Sequence, residues 1–430
     1  MARKGARGRP GAARLTMEAV AAERGFVPNF AEFEANRAGE PPWLAERRHA
    51  GAACFERMGF PTPRVEAWRY TGVGPIVAVP WSLARTGQGQ PALVNATLPA
   101  GVRVARLKDL QAREPELLQG RLSRIAGFES NAFTALNAAF FEDGLYVEIA
   151  PGAVVEEPIE IVLRSAGASE PAVSYPRCLI VAGPRSQASV VERYAGEGSY
   201  FQNAVTEIFV EDGAVLSHDK LQQEDTSAFH VQTIAVRQGR ASHFTSRNLA
   251  LGAALARTDI RVELAGEGAE CVLDGLFLGS GTQHLDSHTT IDHATPHGVS
   301  REIYKGILDG KARGVFHGDI IVRPDAQKTD AMQTNKNLLL SKEALVNSTP
   351  ALEIFADDVK CKHGSTIGQL DAGALFYLRS RGIGESEARR LLMYAFASDV
   401  VDRIRIPSVR EAVASAMGLR LAGAAAGGTR

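Results

Sequence analysis

One pattern recurs along the middle of the chain: a short apolar strand, a tight polar turn, an alanine, and a second strand. It reads LIVAGPRSQASVV, EIFVEDGAVLSH, IAVRQGRASHF, VELAGEGAECVL, GILDGKARGVF and NLLLSKEALV. The alanines that close these turns are Ala188, Ala214, Ala241, Ala269, Ala312 and Ala344, spaced by 26, 27, 28, 43 and 32 residues. Self-similarity at periods of roughly 20–50 residues marks stacked architectures. Each rung leaves an apolar face that only the next rung covers, so the stack is the stable unit. An alanine after the turn keeps the chain narrow where it changes direction. A β-sandwich is the competing architecture, because strands at near-regular intervals fit it too. The repeated turn and the near-constant period favour a solenoid.

The flanks carry a different period. Residues 15 to 60 (MEAVAAERGF, FAEFEANRAG and PPWLAERRHAGAACFERMGF) place apolar residues at helical spacing, with Gly and Pro between segments. PTPR leads into VEAWRYTGVGPI, and residues 85 to 130 show no clear period. From about Phe140, runs rich in Val, Ile and Thr take over. After Gly368 helical spacing returns. Asp371 is a candidate N-cap for DAGALFYLRSRGI and Gly382 its stop. ESEARRLLMYAFASDVVDRI is a longer helix broken by Pro407, with Ser408 as the cap of a third. The chain thus divides into a disordered basic tail (1–16), a helical and mixed N-terminal region (17–139), a β core (140–367), a helical C-terminal region (368–420) and a second tail (421–430). The opening MARKGARGRPGAAR has no acid and lacks the apolar stretch of a secretory signal. It reads as a disordered tail, or as sequence ahead of a start at Met17, with a transit peptide as the alternative.

Composition narrows the function classes. A net charge of -1 and 23% charged residues give no bias toward nucleic acid. No apolar run approaches the roughly 18 residues that a membrane span needs. Cys54, Cys178, Cys271 and Cys361 are widely spaced and form no CxxC, which fits a reducing cytoplasm better than a disulfide framework.

Few residues suggest chemistry. GxxxxGK[ST] and GxSxG are absent, and no GxGxxG follows a strand. The densest histidine cluster is QHLDSHTTIDHATPHG, where His284 and His288, and His293 and His297, are four apart. On a helix that spacing suits a metal, but Thr289, Thr290 and Ile291 favour a strand. His284, Asp286, His288, Thr290 and Asp292 then share one face, which reads as a polar, solvated surface near a subunit contact. His218, His230, His243 and His317 read as isolated structural residues. The other pair is in DDVKCKHG. On a strand Cys361 and His363 point the same way. They form an ordinary polar patch or half of a metal site, since two ligands complete neither a structural zinc nor an iron–sulfur site.

The stretch NKNLLLSKEALVNSTPALEIFADDVKCKHGSTIGQLDAGALFYLRSRGI resembles the signature of the SufB/SufD family of iron–sulfur cluster assembly proteins. EAWRYT, ALNAAFFEDGLYVEIAPGAVVEEPIEI and HATPHGVSREIYKGILDGKARGVFHGDIIVRPDAQKTDAMQTNKN extend the resemblance over most of residues 60 to 405. It is to the SufD branch. DAMQTNKN lacks the cysteine that SufB-like chains carry there, and the DDVKCxHG motif of SufD-like chains is intact. The resemblance implies a mainly β fold, a right-handed parallel β-helix between helical ends. It implies a non-catalytic scaffold subunit that pairs with SufB through the β-helices and binds the ATPase SufC through its C-terminal region. His363, and less certainly Cys361, would help build a nascent cluster shared with the partner, His363 as a metal ligand, with no cofactor held by the chain alone. The ATPase contact falls on Leu375, Phe376, Tyr377, Arg379, Arg381, Leu391, Tyr394 and Phe396. The rival readings are a β-helix enzyme acting on polysaccharides and a SufD-like homodimer working without SufB.

Overall fold

The computed structural model describes residues 30–418, apart from 36, 38, 85–87, 96 and 168–169. Both tails and the helical reading of 15–29 lie outside the described residues. From Arg177 onward consecutive strands alternate between two sheets, and within each sheet every neighbouring pair of these strands is parallel. One sheet runs Val102–Arg106, Gly144–Ile149, Arg177–Ala182, Phe201–Val210, Phe229–Gln238, Leu255–Leu264, His284–His293, Arg313–Val322, Leu345–Ile354. The second runs Pro91–Leu93, Ile159–Ala166, Gln187–Glu197, Val215–Glu224, His243–Ala250, Glu270–Gly279, Val299–Leu308, Asp330–Leu339, Lys360–Gln369. This is a parallel β-helix with two strands per rung, and the sandwich alternative falls because its sheets would be antiparallel.

The register gives the true repeat. Gln187 pairs with Val215 and Val215 with His243, 28 residues apart each time. At one corner of six successive rungs a residue takes a left-handed conformation: Arg185, Gly213, Ala241, Gly268, His297 and Lys328, with φ between 51° and 69°. Only two of the six are glycine, the residue that bears this conformation at least cost. What holds the others is a stacked ladder. Each of these N–H groups donates to a turn carbonyl of the next rung, as Arg185 does to Asp212, Ala241 to Glu267 and His297 to Gln327, at 2.9 Å. The residue that follows is small and buried: Ser186, Ala214, Ser242, Ala269, Gly298 or Thr329.

The alanine pattern therefore needs correcting. Ala214 and Ala269 close turns leading into the second sheet, while Ala312 and Ala344 close turns leading into the first. The irregular 43-residue interval marks the switch between the two corners. Ala241 is exposed and left-handed, and its neighbour Ser242 is the closing residue; Ala188 lies inside a strand.

Helices cover both outer faces. Ala132–Phe140 is buried along its whole length against the first sheet, capped by Asn131, whose side chain accepts from the N–H of Phe133 and Thr134. Helix Pro42–Met58 packs on it, and Gly51 permits the approach, since a Cβ there would lie 2.9 Å from the Ala135 carbonyl. On the second sheet Val191, Leu221, Leu249, Leu276, Ile307 and Leu338 form an apolar strip, covered by helices Glu385–Val401 and Pro407–Ala416. Asp371 caps helix Ala372–Ser380, accepting from the Ala374 N–H at 2.7 Å, and Gly382 follows it at φ 86°. Ser408 is not a cap. Ile406 holds that position without a side-chain bond and Pro407 opens the helix, so the Ser408 hydroxyl instead meets Arg193 at 2.5 Å.

Candidate functional site

The solenoid's last rung consists of Leu345–Ile354 and Lys360–Gln369, and among the described residues no further rung covers it. Burial falls away there: the second of these strands is exposed at every residue but Cys361, which is half-buried. The register carries the inward face of the second sheet out to this end. Glu302 pairs with Gln333, and Gln333 with His363. Glu302 and Gln333 are fully buried inside the solenoid, whereas His363, next in the same column, is exposed at the open end. Cys361 and His363 share this inward-facing side, as strand alternation requires.

Cys361 packs against the small buried cluster of Ile320, Val322, Ala326, Ala331 and Ala356, and burial pushes its thiol pKa up. Ser365 bonds Ser348 across the end of the coil at 2.7 Å, and Ser348 bonds Asn335 below it at 2.7 Å. Two rungs in, Glu302 accepts from Gln333 Nε2 at 2.7 Å, and burial pushes its carboxyl up to about 7. Around the opening stand exposed apolar side chains: Phe355 at 61%, Ile367 at 53% and Leu345 at 51%. An exposed sheet edge of this length is a template for another chain. The two edges differ. Pro350 sits in Leu345–Ile354 and has no N–H to offer a neighbour, as edge-strand prolines do. Lys360–Gln369 has no proline and is the freer edge.

The C-terminal helices form a second exposed surface. No residue of Ala372–Ser380 is buried; Phe376 is 74% exposed, Tyr377 is exposed, and Arg381 lies over the Tyr377 ring. Arg379, Arg381 and Leu391 are exposed and Leu375 half-buried. Tyr394 and Phe396 turn toward the chain's own body. Tyr394 donates to Asp402 at 2.8 Å, and Phe396 packs on the apolar strip with Lys305 bonded to its carbonyl and to Asp399.

The histidine cluster falls on a strand, so neither four-residue pair acts as a helical site. The shared face is as expected, but it is not a solvated surface. The segment EAWRYT folds over it: Thr71 donates to Asp286 at 2.6 Å and contacts His284 at 2.8 Å, while Arg257 bonds Asp286 at 2.9 Å and lies 3.8 Å from the Trp68 ring centre. With Arg257 and His288 beside it, Asp286 is held far below the usual carboxylate range despite its burial. His288 stacks on His317. His293 points inward to Ser300 at 2.9 Å, and burial lowers its pKa to about 4, whereas His297 is a turn residue. His218 and His230 are not isolated: each is buried beside a carboxylate, Glu192 and Glu224. Among the described residues, no group of three or more His, Cys, Asp and Glu side chains is placed to hold a metal ion.

The sequence reading missed Glu302 and Gln333. Polar residues on a strand ordinarily face water, yet Gln333, Asn335 and Asn337 alternate inward with Ala331. The available signal was the spacing: Glu302, Gln333 and His363 recur at the rung period.

Two family models match the chain. The SUF system FeS cluster assembly, SufBD core domain, spans residues 163–396, and the SufBD protein N-terminal region spans 88–161. The chain is 30% identical over 403 residues to an iron–sulfur cluster assembly SufBD family protein of Synechocystis, covering 85% of this chain and 89% of that one. It is 31% identical over 378 residues to a SufBD family protein of Mycobacterium tuberculosis (85% and 91%). It is 28% identical over 396 residues to the iron–sulfur cluster assembly protein SufD of Escherichia coli (86% and 91%).

Proposed function

Because the chain belongs to the SufBD family of SUF-system iron–sulfur cluster assembly proteins, we propose that it is the SufD-type subunit of a SufB–SufC–SufD scaffold. The observation that carries this reading is the uncovered last rung, with Cys361 and His363 on its inward face. A SufB-type β-helix seated on the free edge would cover that rung and bring its own thiolate beside His363. The nascent cluster is cargo built across this seam. Iron accepts an imidazole nitrogen beside thiolates, and neutral imidazole needs no prior deprotonation to bind. ATP hydrolysis belongs to a SufC-type partner, docked on Phe376, Tyr377, Leu391 and the neighbouring arginines. Chemistry is thus divided: this chain positions and the partners turn over.

The test is to co-express the chain with SufB- and SufC-type partners and measure iron and acid-labile sulfide in the purified complex. His363→Ala leaves the complex assembled by size-exclusion chromatography and lowers its cluster content at least several-fold. Phe376→Asp with Tyr377→Ala removes SufC while the chain stays folded, since neither side chain is buried. Wild-type cluster content in His363→Ala removes this residue from the function. Purification as a homodimer that never takes up SufB supports the rival that works without it.

A further inference from the structure

The interior of the solenoid holds a polar column that ends at His363. Gln333 is fully buried one rung below it. Its amide has two ends with different fates. Nε2 donates to Glu302 at 2.7 Å, and Oε1, equally buried, has no partner among the described residues. An orphaned buried acceptor costs roughly 1–3 kcal/mol, so its retention calls for a reason. The opposite wall makes room for this amide. Gly318 faces it, and a Cβ at Gly318 would stand 2.3 Å from Gln333 Nε2, so a larger residue would drive the amide off Glu302. Neighbouring strands in a sheet lie about 4.8 Å apart, which places an in-register side chain within one torsion of a hydrogen bond.

We propose that Gln333, clamped by Glu302 and given room by Gly318, is the positioning residue for His363. Its Oε1 accepts a hydrogen bond from one ring N–H of His363. The clamp fixes which end of the amide faces the histidine, because Nε2 is already committed to the Glu302 carboxyl. With one ring nitrogen bonded to Gln333, the imidazole holds a single neutral tautomer, and its other nitrogen is left bare toward the open end. Ligating histidines are held in just this way by acceptors that do not touch the metal. The proposal deepens the reading of His363 as a cluster-assembly residue and rests on it, but its geometry belongs to this chain alone.

The experiment is long-range ¹H–¹⁵N NMR on the full chain carrying ¹⁵N-histidine, with the His363 signals assigned through His363→Asn. Wild type and Glu302→Gln, which keeps an acceptor for Gln333, show His363 as one neutral tautomer. Gln333→Leu, Glu302→Leu and Gly318→Ala show the tautomer mixture of an imidazole free in water. Gly318→Ala leaves the chemistry of the column intact, so it provides the comparison if Gln333→Leu does not fold. In the complex, Gln333→Leu lowers cluster content several-fold without loss of assembly. A tautomer mixture in wild type, or an unchanged tautomer in Gln333→Leu and Gly318→Ala, overturns the inference whatever the cluster content. Undiminished cluster in His363→Ala, by contrast, overturns the function proposed for His363 and leaves the tautomer assignment standing.

Discussion

At its N-terminal end the solenoid stops against antiparallel strands. Val102–Arg106 closes one sheet and the three-residue Pro91–Leu93 closes the other. Leu93, Val102 and Val104 lie over the apolar interior, and Arg103 and Arg106 pair with Glu114 and Asp143 along that edge. The C-terminal end has no antiparallel closing strand among the described residues, although Pro350, Glu353, Lys360 and Lys362 lie on its edge strands. Two parallel ten-residue strands face outward with their inward side uncovered. Short antiparallel edge strands and charged side chains are the usual defences against edge-to-edge pairing. One end is closed by the chain's own strands, and the other leaves its last rung uncovered among the described residues.

Buried carboxylates near the two ends differ in the same sense. Glu207, under the N-terminal region, accepts from the backbone N–H of Ser123, Arg124, Ile125 and Ala126 and pairs with Arg177 at 2.7 Å. Glu302, two rungs from the open end, accepts from Gln333 at 2.7 Å and has Thr289 beside it.

The largest expected effect is under the N-terminal helices that cover the outer face of the first sheet. Phe133 is fully buried among Phe60, Trp68 and Phe201. Phe133→Ala should destabilise the isolated chain by about 3–5 kcal/mol in denaturant unfolding. Ile367→Ala at the open end should change it by less than about 0.5 kcal/mol, as exposed positions do. Equal losses at both positions would mean that the open end is a structural cap after all.

Next is the carboxylate. The folded chain holds a proton on Glu302 up to about pH 7, while an unfolded chain releases it near 4.5. Between these values the folded state binds more protons, so stability falls as pH rises through the window and stays reduced above it. Glu302→Gln removes that loss. Its advantage over wild type should be absent below about pH 4.5 and reach on the order of 3 kcal/mol at pH 8. An advantage that does not change with pH would show that burial is not what shifts this group.

A charge on the open edge should act on association alone. Ile367→Lys leaves the monomer's unfolding midpoint unchanged and weakens uptake of a SufB-type subunit at least tenfold, about 1.4 kcal/mol. Titration followed by analytical ultracentrifugation measures this, and undiminished uptake would move the docking edge elsewhere.

The stacked fold was legible because the turn repeats: a left-handed residue, then a small buried one, at nearly every rung. Misplacing Ala241 by one position did not disturb that inference, since Ser242 serves the same corner. The inside of the coil was harder to read. A strand's alternation tells which residues share a face but not which face is inside, and polar interior residues such as Gln333 invert the usual assignment. The pairing of EAWRYT with Asp286 was hidden for another reason. It joins positions more than 200 residues apart, and neither half announces the other. Cys361 and His363 were found from their spacing on one strand, but the column that supports His363 needs the register of three strands.

The smallest effect separates the two residues of the opening itself. Cys54, Cys178 and Cys271 are buried, and Cys361 is the one cysteine with partial access. Alkylation of the isolated native chain should therefore stop at one equivalent, and bound SufB should slow it by covering the last rung. The thiol reacts and ligates only as thiolate. Burial raises the Cys361 pKa above its ordinary value, so near neutral pH the thiol form dominates and offers iron a poor ligand. Imidazole carries no such requirement once neutral. Cys361→Ser should then reduce cluster content by no more than about half, well short of His363→Ala, and the deficit should narrow as the assembly pH is lowered and the thiolate becomes scarcer in wild type. Iron and sulfide analysis of both variants across pH 6.5 to 8.5 decides the order, and a Cys361→Ser loss equal to that of His363→Ala would make the thiolate an obligatory ligand.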